Sequence, residues 1–146
     1  MKKGNKGFTL IELLVVIAII AILSTVVMAG LNSARAKGRD SRRLADIKQL
    51  QKALELCFDH GVGYPVITGG ATIGQTGGLL LTTNCASATI PFSTYMNPLP
   101  TNPQPGGTNY VYTSANSTTY TVAFSLEGQS GSLVSGAHTA TPLGIQ

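Results

Sequence analysis

Apolar side chains fall along this chain in three successive patterns. From Phe8 to Leu31 they are nearly continuous, and the only charge among them is Glu12. From Ala34 onward they recur at spacings of three and four, as Leu44, Ile47, Leu50, Leu54 and Cys57 or Phe58, with Lys48, Gln49, Gln51, Lys52 and Glu55 at the positions between. That spacing predicts a helix with one buried face. From Asn109 they alternate: "NYVYTS" (Asn109 to Ser114) and "TTYTVAFSLE" (Thr118 to Glu127) predict two strands, the second with Tyr120, Val122, Phe124 and Leu126 on one face.

The first two patterns predict one helix. The first exceeds the roughly 20 residues that cross a bilayer, and in lipid every backbone amide must be paired internally, which enforces helix despite the many Val and Ile residues. No proline interrupts the run from Phe8 to about His60, although Gly30 and Gly38 are expected soft points. "DHGVGYP" supplies the stop, with Gly61 as C-cap and Pro65 barring continuation. At 1.5 Å per residue such a helix is about 80 Å long, so its first half must be covered by lipid or by other subunits.

Between Gly61 and about Thr108 the chain reads as irregular and rich in Gly, Thr, Asn and Pro. "ITGGATIGQTGG" lacks the Gly-Lys-Ser/Thr of a phosphate loop and reads as an ordinary loop. Leu79 to Leu81 and Ile90 to Met96 are expected to pack on the helix, "SANS" to form a hairpin turn, and "GSLVSG" (Gly131 to Gly136) to add a third short strand. The fold class expected is α+β: a long N-terminal helix, membrane-spanning in its first half and amphipathic in its second, packed on a small antiparallel sheet. The segments are 8–31 for the spanning part, 32–60 for the amphipathic part and 61–146 for the loop and sheet domain.

Charge changes the picture by its distribution. The 146 residues carry a net charge of +4, yet all ten Lys and Arg lie between Lys2 and Lys52. After Lys52 the only charged side chains are Glu55, Asp59 and Glu127, which fits a domain working outside the cytoplasm. Cys57 and Cys85 fit an oxidising compartment and are expected to pair; two reduced, buried cysteines are the alternative. A zinc site from Cys57, His60, Cys85 and His138 lacks a second closely spaced ligand pair, so no metal and no cofactor is assigned. No carboxylate pair or nucleophile signature is present, so no catalytic residue is assigned and an enzyme is not expected. Asn116-Ser117-Thr118 matches a glycosylation triplet that a Thr/Ser/Asn-rich segment yields by chance. "RAKGRDSRR" could bind nucleic acid; lipid headgroups, or Asp40 and Asp46 on neighbouring helices, are the plainer partners.

Three readings compete for the N-terminus. A secretory signal, with Lys2, Lys3 and Lys6 as its basic region and cleavage near Ala36, needs a shorter apolar core. A plain signal anchor leaves Glu12 unexplained, at about 2.5 to 3.5 kcal/mol even on a lenient insertion scale. Cleavage before the apolar run, after Gly7, would leave a terminal amine on Phe8 one helical turn from Glu12.

The stretch Gly7-Phe8-Thr9-Leu10-Ile11-Glu12 followed by Leu13 to Leu23 closely resembles the processing and methylation motif of type IV pilins and the related pseudopilins. The resemblance implies that residues 1–7 are a leader, that a membrane aspartyl prepilin peptidase cuts after Gly7, and that Phe8 becomes N-methylated. It further implies that Glu12 faces the terminal amine of a neighbour when identical or related subunits assemble. Leu99-Pro100-Thr101-Asn102-Pro103 also looks like a turn found before the sheet in many relatives.

The function this implies is a structural filament subunit of a type IV pilus, served by an inner-membrane assembly platform and motor proteins. It would be held single-pass in the bacterial cytoplasmic membrane beforehand and lie in a surface pilus or periplasmic pseudopilus afterwards. The orientation comes from the resemblance, because Arg35, Lys37, Arg39, Arg42 and Arg43 beyond the span oppose the positive-inside rule. A major pseudopilin of type II secretion is the alternative; its acidic calcium loop would have only Glu127 here. A non-polymerising membrane-anchored binding module is the second alternative.

Overall fold

A computed structural model of the chain describes residues 7–61, 63–74, 79–86 and 89–146. Lys2, Lys3 and Lys6 of the expected leader lie outside the described residues, as does the 75–78 part of the glycine-rich run. The chain divides into two compact units, Met1–Arg35 and Ala36–Gln146. The long helix α1, Leu10–Gly61, contributes residues to both.

In the first unit α1 is apolar on every side. Its large side chains are exposed from Leu10 (81%) through Ile17 (58%) to Leu31 (40%), because no other element of the unit covers them. The helix begins at Leu10 rather than at Phe8, for a reason that lies in the side chains of Thr9 and Glu12. Gly30 and Gly38, expected as soft points, both hold helical backbone. A glycine in a helix interior is a penalty of only about 1 kcal/mol, too little to break a helix that its neighbours propagate.

In the second unit, Ile47, Leu50, Leu54 and Cys57 are fully buried and form the face that the three-and-four spacing predicts. Leu44 and Phe58 pack at its edges. These side chains share one core with Tyr110, Tyr112, Tyr120, Val122, Phe124 and Leu126 of the sheet and with Leu80, Phe92 and Leu99 of the connection. The N–H of Gly63 closes the helix on the carbonyl of Phe58 at 3.2 Å. Gly61 is fixed by close approach: a Cβ there would lie 2.3 Å from the Cys85 Cβ. That position is where the Cys57–Cys85 disulfide joins the end of α1 to the connection, with Cα atoms 5.6 Å apart.

The sheet has five antiparallel strands in sequence order: β1 Ile67–Thr72, β2 Val111–Asn116, β3 Thr119–Leu126, β4 Gly136–Thr141 and β5 Gly144–Ile145. A short helix α2, Leu79–Thr82, and a 3-10 turn, Phe92–Thr94, lie between β1 and β2. Alternation in β3 buries Tyr120, Val122, Phe124 and Leu126, as the pattern predicts.

Three boundaries differ from expectation. β1 lies inside the stretch read as irregular. Its Gly69-Gly70 pair removes the local strand signal, and its pairing is supplied from β2, with Ile67 opposite Ser114 and Ala71 opposite Tyr112. β2 runs on through "SA" to Asn116, and the turn is Ser117-Thr118. Here the Asn116 Oδ1 accepts the backbone N–H groups of Thr118 and Thr119 at 3.0 and 2.9 Å. "GSLVSG" is a turn with a bridge between Ser130 and Leu133, and the next strand, β4, begins where that stretch ends, at Gly136. "GAHTAT" has too few apolar residues to announce a strand, and its pairing is imposed by β3, from Leu126–Gly136 to Val122–Ala140.

Candidate assembly and processing segment

Gly7, Phe8 and Thr9 are exposed and lie outside the helix, which starts at the next residue. Thr9 sets that boundary. Its backbone N–H and its hydroxyl both donate to Glu12 Oε2, at 2.8 and 2.7 Å, while the Glu12 N–H returns to Thr9 Oγ1 at 3.3 Å. This reciprocal arrangement is a capping box, in which the residue three positions into the helix satisfies donors that the first turn leaves free. The pattern Thr-x-x-Glu is legible in sequence, but weighing Glu12 as a cost to the membrane span left its local role as a cap unread. Glu12 Oε1 has no partner among the described residues. Phe8 and Glu12, one turn apart, line the same shallow groove with Ile11, Val15 and Val16.

The helix is long and apolar enough to cross a membrane by length and composition. Nothing else in its unit covers it, and Glu12 is the single formal charge from Phe8 to Leu31. Such a surface in water is far larger than the few hundred Å² of contiguous apolar patch that monomeric soluble proteins expose.

The basic segment that follows is a different kind of site from the one its sequence suggests. Arg43 is fully buried, and each of its five N–H groups meets an acceptor of its own chain. Nε donates to Asn102 Oδ1 at 2.7 Å, Nη1 to Asp40 Oδ1 and Glu127 Oε1 at 2.6 Å each, and Nη2 to the carbonyls of Pro103 (2.9 Å) and Gly106 (2.8 Å). Arg39 grips Glu127 through Nε and Nη2, and Asp40 also accepts the N–H groups of Glu127 and Gly128. Gly107, with φ of +73°, lets the loop pass over the guanidinium; a Cβ there would lie 2.9 Å from Nη2. The hydrogen bonds from Arg39 and Arg43 bring the Glu127 pKa down to about 2. Asp46 is directed inward as well, accepting the Tyr110 hydroxyl at 3.2 Å, and burial raises its pKa. Arg39, Arg43, Asp40 and Asp46 thus find partners within the chain. Arg35, Lys37 and Arg42 stay exposed.

The residues considered for zinc are not brought together. Cys57 and Cys85 bond to each other, the His60 ring lies against Tyr95, and the His138 ring lies against Phe124 in the sheet.

Comparison with known proteins bears on this segment and on the chain beyond it. The family described as the prokaryotic N-terminal methylation motif matches residues 2–28. By this motif the chain is similar to type IV pilins and pseudopilins. A type IV major fimbrial protein of Dichelobacter nodosus is 38% identical over 81 residues, covering 56% of this chain and 49% of that relative. The type IV wide pilus major component of Thermus thermophilus is 46% identical over 54 residues, 37% of this chain and 41% of the relative. Core protein G of the type II secretion system of Aeromonas hydrophila is 33% identical over 69 residues, 47% of this chain and 48% of the relative. The chain spans about half the length of these curated relatives. No solved structure gives a significant match. The α+β architecture of one long helix and an antiparallel sheet is that of a pilin-like protein.

Proposed function

We propose that this chain is the structural subunit of a type IV pilus, cleaved by prepilin peptidase after Gly7, N-methylated on Phe8, and polymerised through its N-terminal helix. The observation that carries the proposal is the uncovered apolar helix with one carboxylate at its start. Lipid covers the apolar surface before assembly, and the helices of other copies cover it afterwards. Cleavage creates an amine on Phe8, and the free Oε1 of Glu12 is the acceptor for the amine of a neighbouring copy. Two groups that are costly alone in a low-dielectric bundle become tolerable as a pair, and losing one partner costs about 3–5 kcal/mol. The exposed, non-helical Gly7-Phe8 link suits a peptidase, which needs backbone outside a helix. Single-pass placement in the cytoplasmic membrane, and the assembly platform and motor as partners, belong to the same proposal.

A major pseudopilin is the second reading, favoured by the likeness to core protein G. The pilin reading is preferred because Glu127, the acid its loop would offer to calcium, is already held by two guanidinium groups. The test is co-expression of the full chain with prepilin peptidase and an assembly platform, followed by electron microscopy of sheared material. Wild type forms filaments, and Glu12→Ala is cleaved but gives at least about tenfold fewer, as a pair worth more than 1.4 kcal/mol requires. Wild-type yield from Glu12→Ala would defeat the reading.

A further inference from the structure

The exposed side of α1 in the second unit carries its charges in blocks. Lys48, Lys52, Glu55 and Asp59 share one outward stripe, opposite the buried face of Ile47, Leu50 and Leu54. Two like-charged pairs sit at the i,i+4 spacing, Lys48 with Lys52 and Glu55 with Asp59. Helices are stabilised when that spacing joins opposite charges and destabilised when it joins like ones. Within the chain the blocks are not resolved. None of the four takes part in an ion pair among the described residues, and the only polar partner of the stripe is the Tyr64 hydroxyl on Glu55. The acids Asp40 and Glu127 and the cations Arg39 and Arg43 neutralise one another elsewhere.

We propose that this stripe is an electrostatic register between two copies of this chain, in which Lys48 and Lys52 of one meet Glu55 and Asp59 of the next. The inference rests on the polymerisation proposed above and adds the surface that sets the offset. Each lysine lies seven residues before an acid, Lys48 before Glu55 and Lys52 before Asp59. Two parallel copies displaced by two helical turns, about 10.5 Å, therefore set the positive block against the negative block. Copies at equal height set like against like. The sheet occupies the other side of this part of the helix, so copies that gather their helices on a common axis turn these stripes toward one another. Leu56, 48% exposed beside the stripe, gives the contact an apolar flank. Exposed charges at the entrance of such a contact act chiefly on partner orientation, by penalising wrong registers.

The test uses the full chain in the assembling cells described above, with three variants: Lys48→Glu/Lys52→Glu, Glu55→Lys/Asp59→Lys, and all four substitutions together. Each double variant is expected to lower filament yield at least about tenfold, a change of 1.4 kcal/mol or more, and the fourfold variant, which swaps the blocks, to restore it to within about threefold. Zero-length carbodiimide coupling of filaments built from mixed isotope-labelled copies is expected to give Lys48–Glu55 and Lys52–Asp59 links that join a light to a heavy copy. Double variants that assemble like wild type, a fourfold variant no better than the doubles, or links confined to one copy would overturn the register while leaving the filament reading intact. Wild-type chains that form no filaments would overturn both.

Discussion

Arg43→Met tests how the second unit is held together. The substitution removes five hydrogen bonds in one step and leaves Asp40, 1% exposed, without its guanidinium. Breaking a buried pair by removing one partner typically costs about 3–5 kcal/mol. The lower end applies here, because Asp40 keeps the N–H groups of Glu127 and Gly128, Glu127 keeps Arg39, and the Gly106 carbonyl keeps the Asn102 side-chain amide. A loss of about 3 kcal/mol in a unit of this size lowers Tm by about 10–15 °C. Arg43→Lys retains the charge but offers three donors for five acceptors, and should fall about midway. Thermal unfolding of the detergent-solubilised full chain, followed by the near-ultraviolet circular dichroism of the buried tyrosines, measures both. A Tm for Arg43→Met within about 2 °C of wild type, less than 1 kcal/mol on the same scale, would refute the claim that this residue ties the helix to the loop and sheet.

Three further outcomes follow. Glu127 has its pKa lowered from 4.5 to about 2 in the fold, so the folded chain binds fewer protons than the unfolded chain in that interval. Its contribution is complete above about pH 5 and is lost as pH falls toward 2, so wild-type Tm should drop over that window more than the Tm of Glu127→Gln does. Reduction should open the Cys57–Cys85 bridge, which closes a separation of 28 residues, and lower stability by about 3 kcal/mol, visible as a Tm decrease with a reduction-dependent mass gain of two hydrogens. Thr9→Val, which keeps shape and removes the hydroxyl, should cost the cap about 1 kcal/mol and raise amide exchange at Leu10 to Leu13; unchanged exchange would show that the box does not set the helix start.

Local periodicity carried much of this fold. The buried face of α1, its stop at Gly61, and the inward set of β3 all follow from spacing and turn chemistry within a few residues. Elements that depend on distant partners were not legible. β1 reads as a glycine loop because β2 supplies its pairing, and β4 reads as a polar tail because β3 supplies its register. The same holds for the basic segment. Arg43 finds Asn102, Pro103, Gly106 and Glu127 at separations of 59 to 84 residues, which no local pattern announces, so arginines of the core looked like a surface for an outside partner. At the N-terminus the opposite occurred: the apolar run and its one acid were plain in sequence, and the structure added the Thr9 cap that holds Glu12 by Oε2, the other oxygen having no partner among the described residues.

The proposed assembly requires Glu12 and a newly made Phe8 terminus to act together. Mass spectrometry of the mature N-terminal peptide, from cells that carry the processing machinery, tests it most directly. The expected peptide begins at Phe8 and is heavier by one methyl group on its amine. A peptide that begins at Met1, or at a residue beyond Ala36, would contradict it.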